Sequence, residues 1–198
     1  MISEPVKKEE VAEKRIGFTV VLHVFMIVVA SAYPEGEFFL WLTIGLVAEA
    51  LIVFRILLLW KRYKHYTKRY YTLQVYWMLT GAAIYAVIPF VRVTYSTAYF
   101  AIMLVGTLLL FLLGYSSRSW LAKVFLNPKK INLLRMLPIV LFVIIMIGLF
   151  TMAVLQVKEM HPNVGLSVFL YMLGAFLLFV AGPFSMTEER LEELKNAD

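Results

Sequence analysis

Glu49 is the residue of this chain whose position asks most for an explanation. It lies at the midpoint of the apolar run Phe38–Trp60. A carboxylate at the centre of a bilayer costs at least ~2.5–3.5 kcal/mol, and such groups face the bundle interior or a wet cavity. Two roles fit. One is a proton- or cation-binding group; the other is a protonated or hydrogen-bonded Glu that holds helices together. His23 lies seven residues into the preceding apolar run, at a comparable depth. A His titrates near neutrality, so a His23–Glu49 pair across two helices would make a proton relay. The alternative for His23 is a neutral ring bonded to a backbone carbonyl.

Arg55 completes the candidate intramembrane polar site. Six residues along a helix turn it about 120° away from Glu49 and ~9 Å along the axis, which argues against an intrahelical pair. It is ~7.5 Å from the helix end at Trp60, within snorkelling reach of the membrane surface. The other option is an Arg facing the bundle, paired with a carboxylate or an anionic substrate.

These residues are placed by membrane spans. Hydrophobic residues make up 62% of the 198 and charged residues 16%, for a mean hydropathy of +0.81. A water-soluble core of this size cannot bury so much apolar surface. Six segments reach the ~20 residues that cross ~30 Å of hydrocarbon. They are Ile16–Tyr33, Phe38–Trp60, Leu73–Val91, Thr97–Tyr115, Leu134–Val157 and Val164–Phe184. The runs lack the alternation of a membrane barrel, so the expected fold is all-α. It is a polytopic bundle of six transmembrane helices in three hairpins. Residues 1–15 form an N-terminal tail, 16–184 the bundle and 185–198 a C-terminal tail.

Sixteen of the 19 Lys and Arg residues fall in the tails and in the second and fourth connections, counting Arg135 just beyond the fourth. Arg92 and Lys158 alone fall on the other side. Basic residues collect on the cytoplasmic face, so both termini are expected to be cytoplasmic. The expected compartment is the plasma membrane, bacterial by the chain's compactness. Ala30-Ser31-Ala32 also offers a signal-peptidase pattern, but His23 and the acidic tail speak against cleavage there.

The connection after the second run carries Trp60, Lys61, Arg62, Tyr63, Lys64, Lys68, Arg69 and Tyr70. Aromatic and basic residues alternate at helical spacing. That suggests a continuation of the second helix at the headgroups, anchored on anionic lipid. Ser119–Leu126 is expected as a second interfacial helix, ended by Asn127-Pro128. Ser185 and Glu188 have capping-box spacing for a short solvated tail helix containing Leu191 and Leu194. Leu22–Phe25 resembles Leu73–Tyr76, a weak trace of tandem hairpins.

No cysteine occurs, which excludes disulfides and thiolate chemistry. Protease, lipase and Walker signatures are missing, and no catalytic residue or metal site is assigned. No cofactor is expected; His65 and His161 lie outside the hydrocarbon on opposite faces, leaving His23 without a second haem ligand. The partners expected are the bilayer with its anionic headgroups, and a membrane protein or a second copy of the chain; nucleic acid is not expected. Two function classes stay open: a non-catalytic accessory, immunity or stress factor, and a small transporter or channel-like protein using Glu49.

Overall fold

The computed structural model describes residues 12–95, 100–126, 139, 143 and 164–196. Helices α1 (Ile16–Ala32), α2 (Phe38–Tyr63), α3 (Thr67–Thr94), α4 (Phe100–Ser116), α5 (Arg118–Leu126), α6 (Val164–Ala181) and α7 (Glu188–Asn196) follow in order, with a 3-10 turn at Gly182–Ser185 between the last two. No strand occurs among the described residues. The expected fifth span, Leu134–Val157, lies almost wholly outside them. α2, α3 and the segment Gly165–Ser185 are long and apolar enough to cross a membrane. α4 and α5 would add a fourth if taken as one span bent by 52°. α1 is apolar but has 17 residues, about 25 Å by helical rise.

α3 is the central element. One of its faces is nearly stripped of side chain by Ala82, Ala83 and Ala86, and all three are buried. Small residues let membrane helices approach until backbones touch, which maximises dispersion contacts where no hydrophobic drive acts. α6 uses that face. A Cβ on Gly174 would lie 2.8 Å from the Ala83 carbonyl oxygen. Phe90 stacks on Tyr171 near one end of the pair, at 4.8 Å between rings. Arg69 reaches the Ser185 and Met186 carbonyls at the other. α3 and α6 therefore run antiparallel. α1 and α2 form a hairpin packed on the opposite side of α3.

Arginines near the two ends of α3 close helix ends elsewhere. The last carbonyls of a helix have no intrahelical donor, and a cation there also meets the negative end of the dipole. Arg92 donates to the carbonyls of Ala30, Ser31, Tyr33, Pro34 and Gly36, at 2.5–3.2 Å. It thus gathers the C-terminus of α1 and the turn into α2, and stacks on Trp41. Arg69 does the same for the end of the α6 segment. Arg92→Met should lower stability in detergent by about 2 kcal/mol, since bonds to a charged donor contribute ~1.5–3 kcal/mol. Arg92→Lys should recover only part, because one ammonium cannot span five acceptors. Thermal unfolding of the three proteins checks both.

The connection between α2 and α3 corrects an expectation. α2 does not continue through the basic stretch; it ends at Tyr63, and α3 starts at Thr67. Tyr70 consequently belongs to α3, is fully buried and donates its hydroxyl to the Lys14 carbonyl at 2.5 Å. Trp60 Nε1 donates to the Ala12 carbonyl, and Gln74 Nε2 to that of Arg15. These bonds tie the segment before α1 to the ends of α2 and α3. Pro89 lies inside α3, which runs on to Thr94, past the expected end of the span at Val91. The tail helix is likewise capped by Thr187, whose Oγ1 accepts from the Arg190 N–H, not by Ser185. It is docked rather than free: Leu194 is buried, and Leu191 packs with it against Ala122 of α5 and Met186.

Candidate functional site

His23 of α1, Glu49 of α2 and Tyr85 of α3 meet where the three helices pack together. Their residual exposures are 0%, 4% and 1%. The site is built around Gly81. A Cβ at that position would fall 2.4 Å from His23 Cε1 and 2.7 Å from Nε2. The imidazole therefore lies directly against the α3 backbone. Tyr85, four residues on, shares that face of α3 and meets the ring edge-on at 5.5 Å.

The hydrogen bonds assign most of the protons. His23 Nε2 is 2.8 Å from the Met78 carbonyl oxygen. A carbonyl only accepts, so Nε2 carries a hydrogen and donates it. His23 Nδ1 is 2.7 Å from Glu49 Oε2. One proton lies in that bond. Either an imidazolium Nδ1–H donates to a carboxylate, or a carboxylic acid O–H donates to Nδ1. The pair is neutral overall in both arrangements, which is how two ionisable groups are tolerated away from water. The Tyr85 hydroxyl donates to the same Oε2 at 3.1 Å. Glu49 Oε1 is buried and makes no hydrogen bond among the described residues.

Arg55 is not part of this cluster. It is exposed on another face of α2, as its angular offset from Glu49 requires. Of the residues expected at the headgroups, Lys61, Arg62 and Lys68 are exposed, while Trp60, Tyr63 and Lys64 are partly buried. Lys14 lies over the Trp60 ring at 4.5 Å. Arg69 is engaged by the α6 end, and Tyr70 is in the core.

Tyr85, Gly81 and the Met78 carbonyl are the components that sequence reading misses. Gly81 and Tyr85 carried a usable signal, a small residue and a hydroxyl at i, i+4 on one span. Among the described residues three cavities flank α3, and none of these is lined by His23, Glu49 or Tyr85. His23 and Glu49 are joined by no third His, Cys, Asp or Glu in an arrangement able to hold a metal, among the described residues. No family model, curated protein or solved structure matches the chain.

Proposed function

We propose that this chain is a non-catalytic, six-span protein of the bacterial plasma membrane, acting as an accessory, immunity or stress factor through helix packing. The observation that supports this most is the sealed His23–Glu49–Tyr85 cluster. Its groups spend their hydrogen bonds on one another and on a backbone carbonyl, which is how a helix-joining device is made. The cluster fixes α1, α2 and α3 in one register. It leaves the outer surfaces of the bundle for lipid, for a membrane-protein partner or for a second copy.

This reading has both termini in the cytoplasm. The described basic residues support this: Lys14, Arg15, Lys61, Arg62, Lys64, Lys68 and Arg69 gather at one end of α1–α3, and Glu35 and Glu37 stand at the other. Cysteine labelling checks the orientation, because the native chain has no cysteine. Glu35→Cys is chosen over the neighbouring Gly36, whose φ of +106° suits glycine. In intact cells an impermeant thiol reagent should label Glu35→Cys and spare Lys68→Cys. The reverse pattern would invert the topology.

A second reading rests on the unpaired Oε1 of Glu49 and on the proton shared with His23. Together they provide a proton-binding group for a small transporter. Glu49→Gln separates the two. As a structural device the variant keeps near-native stability and cellular phenotype, because Gln retains size and hydrogen bonding. As a proton carrier it folds but loses the phenotype, because Gln does not ionise.

A further inference from the structure

At the end of α3 that carries Arg92, a cleft of about 520 Å³ opens between the α1–α2 turn and α3. Glu35, Glu37, Trp41, Arg92 and Tyr95 form its walls. A second cavity, of about 280 Å³, lies along α3 towards the middle of the bundle. Ile84, Val87, Ile88, Leu108 and Phe111 line it, and almost all of its surface is apolar. Trp41 and Val91 belong to both walls, so the two spaces adjoin: a charged mouth at one end and an oily groove between α3 and α4 leading away from it. Ile84 and Leu108 are half exposed on the outer surface of their helices.

We infer that this amphipathic groove is a binding site for a bilayer aminophospholipid, with the headgroup in the Arg92 cleft and an acyl chain in the apolar groove. The lining dictates the chemistry. A space with nearly no polar wall takes a hydrocarbon chain, and the molecules presented to it at highest concentration are the lipids around the helix. The mouth has mixed charge, one guanidinium and two carboxylates. Arg92 spends its terminal N–H groups on five carbonyls, yet its charge still faces the cleft and attracts a phosphate. Glu35 and Glu37 are exposed, and neither side-chain carboxylate makes an ion pair or hydrogen bond among the described residues. A primary ammonium brings three donors to those carboxylates. A quaternary ammonium brings none, and an anionic headgroup adds a negative charge beside two others. Trp41 and Tyr95 belong to the residue types that hold headgroups at the membrane surface. The fit is therefore to a phosphoethanolamine headgroup over phosphocholine or phosphoglycerol.

The test uses the full chain reconstituted in vesicles of equal parts phosphatidylethanolamine, phosphatidylcholine and phosphatidylglycerol with identical acyl chains. The protein is then extracted in mild detergent and its retained lipid read by native mass spectrometry. Retained phosphatidylethanolamine should exceed each of the others by about tenfold, the ratio that ~1.4 kcal/mol of discrimination gives. The double variant Glu35→Gln/Glu37→Gln should bring the three lipids to near parity while total retention stays high. Leu108→Trp, on a lipid-facing position of α4, should fill the groove and reduce retention of all three at least about fivefold. Ile84→Trp fills it from α3 and serves if the first variant folds poorly. Preference for phosphatidylglycerol, absence of any retained lipid, or a preference that survives the carboxylate substitutions would overturn the assignment. So would full retention in both tryptophan variants.

Discussion

Glu49→Leu is expected to destabilise the folded bundle by about 2–3 kcal/mol, while Glu49→Gln costs about 1 kcal/mol or less. Leucine leaves the Tyr85 hydroxyl and His23 Nδ1 buried without a partner, and each orphaned group costs ~1–3 kcal/mol. Individual interhelical hydrogen bonds in membranes average only ~0.6 kcal/mol, so the orphaning and not the bond strength dominates. Glutamine behaves differently. Its amide nitrogen, replacing Oε2, donates to Nδ1 and to the Tyr85 oxygen, and His23 keeps its bond to Met78. Equal losses in the two variants, measured by reversible unfolding in detergent, would mean that ionisation and not hydrogen bonding holds the site.

Gly81→Ala should be at least as damaging, at about 3 kcal/mol. In an ordinary helix interior the same change stabilises by up to ~1 kcal/mol. Here the added methyl would sit 2.4 Å from a ring carbon of His23. The ring has no free direction in which to yield, because Nδ1 is held by α2 and Nε2 by α3. Overpacking costs ~1–3 kcal/mol, and moving the ring gives up its bonds as well. The sign reverses once the ring is removed. In a His23→Ala background, Gly81→Ala should be neutral or stabilising. Additive effects of the two substitutions would show that the ring and Gly81 do not touch in the folded protein.

The charge and hydropathy pattern carried the all-helical class and the approximate limits of α1, α2, α4 and α6, because continuous apolar runs leave little freedom. The candidate pair was legible too. Two ionisable residues at similar depth on neighbouring spans have few ways to avoid each other. Tyr85 was harder to read, because a tyrosine within a span serves equally well as an aromatic filler, and only its spacing of four from Gly81 marks it out. The break between α2 and α3 was hidden by uninterrupted helical spacing of aromatic and basic residues. Tyr63 and Tyr70 look alike in that pattern, and only the Lys14 carbonyl over Tyr70 distinguishes them. Arg92 and Arg69 read as loop charges, since the carbonyls they gather come from residues more than fifty positions away.

His23 and Glu49 act as one unit joining α1 to α2 against α3. A double-mutant cycle on unfolding free energy, with His23→Leu, Glu49→Leu and the pair together, measures this directly. Contacting residues show coupling where distant ones add. The double variant should be more stable than the sum of the single losses predicts, with a coupling of about 1.5 kcal/mol, near the upper end for interhelical polar pairs. Coupling indistinguishable from zero, with both single variants destabilised, would mean that the two residues act separately and do not join the helices as a pair.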